Sequence, residues 1–527
     1  MHIVRIGSGE TKLHSAESVG AKAANLARMA SLGVPVPPAF VLPVSLCAAI
    51  ADGDSHARHK LADGLKEGIE FLEHATGKSF GDRRSPLLVS VRSGAARSMP
   101  GMLETVLDVG CNLTAVHGLI RMTGHPHFAW DCRRRFLESF GSVVLGIAPA
   151  LFAKSSAELV SGETVTSLAV LDSEAIERLA SAHQQTIEDQ DLSIPEDPME
   201  QLEAAAQAVY RSWTSKRACT YRELQHLEHL KGTAVTVQAM VFGNRGLSSG
   251  AGVAFSRDPS TGAVRPIIDV LFESQGEDVV SGSHTPEDES GIVRAVPGVA
   301  PELRDTLARL EREFGDVQDV EFTIEEGKLW ILQTRAAKRT PLAALRFAVD
   351  FVHEGMLTPS QALQRLKGLD VDALAHQRLV DPSAPAACGI GASTGIAVGR
   401  AAFNSTSAER MAAAGDPVIL VRPDTSTADV AGFAAAAGIV TAVGGRTAHA
   451  ALVARQMAKP CVVGCKALMI DATETHARLG DHAIQMGDWL SINGETGDIH
   501  LGRCEVAVER PNAELAELEH WRASLHK

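Results

Sequence analysis

The stretch that most constrains the fold runs from Asp319 to Arg335 (DVEFTIEEGKLWILQTR). Apolar and polar residues alternate with period two on both sides of Glu326-Gly327, which predicts a β-hairpin turning at that pair. Val320, Phe322 and Ile324 share one face of the first strand; Trp330 and Leu332 share one face of the second. With an odd number of loop residues, all five lie on one side of the ribbon, and Asp319, Glu321, Gln333 and Arg335 line the other. Oxygen ligands beside a guanidinium suit Mg²⁺ and a polyphosphate. A solvated face with an incidental ion pair is the competing reading.

Around this hairpin the chain reads as several domains. At about 150 residues per domain, 527 residues give three to four. Residues 1–110 read as mixed α/β, with a helix from Gly20 that stops at Gly33 before Pro35, Pro37 and Pro38, and a strand at Leu87–Arg92 followed by a loop from Ser93 to Gly101. Residues 111–230 are mainly helical. Strands return at Ala234–Phe242, Gly252–Phe255, Pro266–Phe272, Val317–Ile324 and Leu329–Thr334. Helices are expected over 341–380, a Pro/Gly-punctuated linker from Pro382 to Gly391, a compact α/β run over 390–503, and a final helix from Pro511. Fifty basic against 64 acidic residues, a net charge of −14, argue against a general nucleic-acid binder. No apolar run reaches about 18 residues, so no membrane span is expected. The start of the chain lacks a signal-peptide pattern. Eight scattered cysteines without a CxxC pair point to a reducing cytoplasm.

Two more segments could carry chemistry. In Val89–Met102 (VSVRSGAARSMPGM) a strand runs into a small-residue loop. Glycines there let backbone N–H groups approach phosphate oxygens, and Arg92 at the strand end can neutralise them. An ordinary Gly/Ser loop is the alternative. Thr76-Gly77-Lys78-Ser79 is not a Walker A loop, because Leu72 stands where its first glycine belongs. Lys22, on an Ala-rich helix, reads by itself as a solvated lysine. In Gly444–Pro460 the two glycines break a strand, Thr447 is the expected N-cap, and the helix stops before Pro460. His449 then sits in the first helical turn, near free N–H groups and the positive dipole end. A neutral imidazole there can attack phosphorus. A structural or capping histidine is the alternative; a metal site is not supported, because no second ligand follows one turn later.

Taken together, these segments resemble the pyruvate phosphate dikinase family. The matching stretches are Gly20–Met29, Val89–Gly110, Val237–Gly262, Ser274–Pro286, Gln318–Thr340 and Gly444–Gly464, collinear over most of the chain. The resemblance implies an α/β and α+β multidomain fold: an ATP-grasp nucleotide-binding domain over 1–340 with a helical insertion at about 111–230, a helical linker and hinge at 341–388, a swivelling phosphohistidine domain at 389–505, and a C-terminal helix at 506–527. It implies a third domain too, a barrel for pyruvate and phosphoenolpyruvate. About 20 residues after the phosphohistidine domain cannot build a barrel of roughly 250, so that domain is expected to be missing. The family's Met-Thr-Ser-His becomes Arg446-Thr447-Ala448-His449, which removes a serine hydroxyl and adds a cation.

The resemblance also assigns roles. Lys22 and Arg92 would bind ATP phosphates, and the loop Ser98 to Met102, including Gly101, would cover them. Gln238, Met240 and Val241 would line the adenine edge, and Glu277 would face the nucleoside. Glu321 and Gln333 would hold Mg²⁺, Arg335 would contact phosphates, and His449 would carry the phosphoryl group. Thr447 matches a position phosphorylated in plant relatives. The cofactors implied are ATP and Mg²⁺. The partners are inorganic phosphate and a separate barrel protein or small molecule as acceptor, with a homodimer left open. A non-catalytic nucleotide-binding or phosphocarrier subunit is the alternative; the joint presence of Lys22, Arg92, Glu321, Gln333, Arg335 and His449 argues against it.

Overall fold

The structure, a computed structural model, describes residues 3–9, 14–97, 99, 102–163, 168, 171–281, 285–371, 374–424, 429–446, 448–471 and 473–525. The chain divides into two units: Met1–Gly246 with Trp330–Thr334, and Leu247–Leu329 with Arg335–Lys527. The division therefore falls inside the segment expected to be one domain, 1–340. No helix among the described residues is long and apolar enough to cross a membrane.

The first unit is built on a five-stranded antiparallel sheet in the order Val4–Ile6, Ala39–Leu42, Thr233–Ala239, Val89–Ala95, Thr105–Val109. The helix Ser55–Thr76 belongs to the same core. It starts where the Asp54 side chain accepts from Ala57 N at 2.8 Å and ends at Gly77 in the left-handed conformation. Its Leu61, Leu65, Ile69 and Leu72 recur at helical spacing and are buried; each contributes about 1.5–3 kcal/mol over exposure. Gly68 gives the sheet close access, since a Cβ there would lie 2.4 Å from the Phe40 ring. Any side chain at 68 would push the helix off the sheet. The expected helical stretch is present as Leu113–Thr123, Pro126–Val143, Pro149–Gly162, Ser173–Glu188, Pro198–Ser212 and Lys216–Leu224.

In the second unit, strands Gln318–Glu325, Gly250–Phe255 and Ile267–Phe272 lie side by side, antiparallel. The amphipathic helix Val299–Phe314 buries Leu303, Leu307 and Leu310. Helices Pro341–His353 and Asn512–Leu525 share a core through Phe347, Phe351, Leu515, Leu518 and Trp521. The region 387–501 forms an eight-stranded sheet whose two ends in the strand order, Ala387–Cys388 and Ile390–Ser393, adjoin in sequence around Gly389. The sheet thus closes on itself. Its parallel part carries the helices Ser405–Ala413, Val430–Ala435 and His449–Gln456.

Several expectations change in detail. The strand expected at Leu87–Arg92 runs instead over Val89–Ala95, because Ser93, Gly94 and Ala95 still pair with Val235, Ala234 and Thr233. The strand expected at Ala234–Phe242 ends at Ala239. Residues 506–527 are not one helix: Val506–Glu509 is a strand, antiparallel to His376–Leu379, and the helix begins at Asn512. The Val-Ala-Val-Glu alternation suits a strand, and Pro511 separates it from the helix. Residues 376–379 and 506–509 are thus joined in one two-stranded ribbon.

Candidate functional site

The hairpin turn holds two residues, Glu326 at φ 48° and Gly327 at φ 76°. Positive φ at both central positions is the hairpin geometry that matches strand twist. The count is even, so the condition for one shared apolar side is not met. Val320, Phe322 and Ile324 are buried as expected, but on the second strand Leu329 and Ile331 are fully buried and Trp330 and Leu332 only half-buried.

Within the first unit, Lys22 is the second residue of the helix Ala21–Ser31. The helix start is pressed onto the strand of Arg92, since a Cβ on Gly20 would stand 2.1 Å from Gly94 O. Arg92 lies inside that strand rather than at its end, half-buried, opposite Thr236 and Thr105. One turn along the helix, Asn25 Nδ2 donates to Thr334 O at 3.0 Å, which places buried Gln333 beside the same helix. Lys22, Arg92 and Gln333 are thus gathered by their backbones around one helix start. Gln238 is buried with its Nε2 donating to Pro37 O at 3.1 Å, while half-buried Met240 and Val241 lie just past the strand end. Met102 is half-buried. Ser98 and Gly101 lie outside the described residues.

Within the second unit, half-buried Glu321 and buried Asp319 lie two residues apart on one strand. Arg335 Nε donates to Asp319 Oδ2 at 2.8 Å. Burial pushes the Asp319 carboxyl up, Arg335 pulls it back, and Glu321 adds to the rise. Asp319 Oδ1 is buried and has no hydrogen-bond partner among the described residues. A buried carboxylate oxygen left over beside a second carboxylate is the donor set a hard cation takes, so these residues fit Mg²⁺. Among the described residues no group of three or more His, Cys, Asp or Glu side chains is placed to hold a metal by itself. Glu277 is exposed on the short helix Gly276–Ser281.

His449 opens the helix His449–Gln456, as expected. The N-cap is Ala448, not Thr447, and makes no side-chain capping bond. The first-turn N–H groups therefore keep the anion-binding character of a helix start. Thr447 and the His449 side chain lie outside the described residues.

Sequence reasoning missed Asp269, whose side chain lies against the loop before His449. Arg446 Nη1 donates to Asp269 Oδ1 at 2.8 Å, and the Arg446 backbone N to Oδ2 at 3.3 Å. The one available signal was a lone carboxylate in the apolar run Ile267–Phe272.

Two family models match the chain, the first of them across the boundary between the two units. The family "Pyruvate phosphate dikinase, AMP/ATP-binding domain" matches residues 55–295 and 298–350, and "PEP-utilising enzyme, mobile domain" matches 414–497. Chloroplastic pyruvate, phosphate dikinase of Flaveria trinervia is 42% identical over 511 residues, covering 95% of this chain and 53% of the relative. The Clostridium symbiosum protein of that name is 40% identical, with 95% and 58% covered. Pyruvate, phosphate dikinase 2 of Zea mays is 39% identical, with 99% and 60% covered. The chain spans about half the length of the curated relatives it matches.

Proposed function

The chain belongs to the pyruvate phosphate dikinase family, and on that premise we propose that it is a phosphotransferase that loads His449 from ATP. The His449 imidazole attacks the β-phosphorus, the α–β bridge bond breaks, and AMP leaves, with the terminal pyrophosphoryl group on the ring. Inorganic phosphate then takes the outer phosphoryl group as pyrophosphate, leaving phospho-His449. Lys22, Arg92 and Arg335 neutralise phosphate oxygens as charge moves onto the leaving group. Glu321 and Gln333 would hold Mg²⁺, which when bound supplies further charge neutralisation. The N–H groups of the helix start stabilise the phosphoryl group on His449. Ser98 to Met102 cover the phosphates, Gln238, Met240 and Val241 line the adenine edge, and Glu277 faces the nucleoside.

The acceptor of the phosphoryl group is either pyruvate held by a barrel of the family's kind or another small molecule. A cytoplasmic setting suits eight free thiols. The domain limits proposed remain 1–340, 341–388, 389–505 and 506–527, with the strand Val506–Glu509 preceding the last helix.

The observation that carries this reading is a histidine in the first position of a helix whose N-cap, Ala448, has no capping side chain, inside the matched mobile domain, in a chain that also holds the matched nucleotide-binding segment. Chromatography of the nucleotide products tests it. AMP is expected; stoichiometric ADP without AMP would mean an ordinary kinase or ATPase.

A further inference from the structure

Asp269 is 3% exposed at the centre of a strand that is otherwise apolar from Ile267 to Phe272. An ionised carboxylate in such a place is strongly disfavoured unless it is paired. Burial pushes its carboxyl up and Arg446 pulls it back. Among the described residues, both of its oxygens are hydrogen-bonded by Arg446, 177 residues away in sequence. Arg446 stands where the family pattern has methionine. Arg455 completes the connection: its Nε donates to Ala451 O at 3.1 Å within its own helix, and its Nη2 donates to Arg446 O. The helix that starts at His449 therefore fixes the carbonyl of the residue whose N–H and guanidinium grip Asp269. Small residues let the surfaces meet around this pair. A Cβ on Gly445 would lie 2.5 Å from Pro286 Cγ, and one on Gly464 would lie 2.8 Å from Thr285 Cγ2.

Resting on the phosphotransfer reading, we propose that the Arg446–Asp269 pair is a positioning latch: it seats the loop before His449 against strand Ile267–Phe272 for the ATP half-reaction, and parts when the loop lifts away. The pair is suited to release. Arg446 keeps a quarter of its side chain exposed, and lifting the loop hydrates both partners at once, so opening costs far less than deleting one partner in place. Deleting one leaves the other charge, or a buried carboxyl, without its counterpart while the loop is seated. Deleting both removes the mismatch.

The test uses the full chain carrying Asp269→Asn, Arg446→Met or both. The first readout is disulfide trapping between Pro286→Cys and Gly445→Cys, which measures seating without any turnover. The second, in chains without the added thiols, is the single-turnover rate of His449 labelling from ATP and its dependence on ATP concentration. Each single variant is expected to slow both trapping and labelling by about tenfold or more, with the double variant returning to within about threefold of the parent. The half-saturating ATP concentration stays constant, because the pair seats the loop and does not hold nucleotide. Trapping as fast in Asp269→Asn as in the parent overturns the latch, and so do losses that simply add in the double variant. If trapping responds as expected but the parent labels no histidine, the phosphotransfer reading fails and the seating role stands.

Discussion

Arg257 and Arg446 both face buried carboxylates in the second unit, yet they are held in opposite styles. Arg257 is held by several carboxylates: Nε and Nη2 donate to Glu311 Oε1 at 2.9 and 2.7 Å, Nη2 also to Glu354 Oε2 at 2.6 Å, Nη1 stands 3.7 Å from Asp350 Oδ2, and the guanidinium lies 4.6 Å from the Phe351 ring centroid. Ser256 Oγ donates to the other Glu311 oxygen at 2.5 Å. These partners come from the helices Val299–Phe314 and Pro341–His353 and the residue capping the latter, so the cluster ties fixed parts of the scaffold together. Among the described residues Arg446 has one ion-paired carboxylate, Asp269, held through Nη1 and the backbone N, and it ties a loop to a strand. Several carboxylates around a 5% exposed guanidinium make a joint that does not open; one ion-paired carboxylate, among the described residues, at a quarter-exposed guanidinium makes a joint that can. Burial alone does not separate a structural ion pair from a working one. The number of independent partners does.

The largest effect expected from this contrast is on stability. Glu311→Ala leaves Arg257 buried with its bidentate partner gone and should cost about 3–5 kcal/mol, read as a lower urea midpoint for the second unit. A loss below about 1 kcal/mol would reduce the Arg257 cluster to the worth of an exposed pair. Arg335, paired to Asp319 but 45% exposed, belongs with the working kind. Arg335→Ala or Glu321→Ala should lower His449 labelling a hundredfold or more, about 3–4 kcal/mol of barrier, with the fold retained. Near-normal labelling would remove the hairpin from the site.

His183 sharpens the comparison from the other side, as a buried base with no carboxylate hydrogen-bonded to it among the described residues. Burial, with help from Arg134, lowers it from 6.5 to about 4. The unfolded chain therefore binds the extra proton first. Stability of the first unit should fall as pH drops through that window, by up to about 3 kcal/mol, and level off below it. Urea titrations at several pH values should show a shallower fall for His183→Gln than for the parent; equal slopes would contradict the assignment. The smallest effect is expected at Arg378, exposed and paired with Glu509 across the two-stranded ribbon. Arg378→Ala should leave the urea midpoint unchanged, since water and salt replace such a partner readily.

Much of this was legible in the sequence where the signal is local. The five strands expected between 233 and 335 occur within a few residues of their places, because period-two alternation and turn residues act over short spans. The Glu326-Gly327 turn was legible too, but not its residue count. That depended on Glu326 accepting a positive φ, which composition does not announce. The strand Val506–Glu509 was read as helix because its four residues are stabilised by pairing with His376–Leu379, more than 120 residues earlier. Asp269 was invisible for the same reason: its partner is distant, and a carboxylate in an apolar run reads as a flaw until Arg446 is beside it.

The central claim, that ATP loads His449, is tested most directly with ATP labelled at the β-phosphate. The account predicts acid-labile, alkali-stable label on the peptide that contains His449, formed together with AMP and absent in His449→Asn. Label that persists in His449→Asn, or turnover of ATP that leaves no label on the protein, would contradict it.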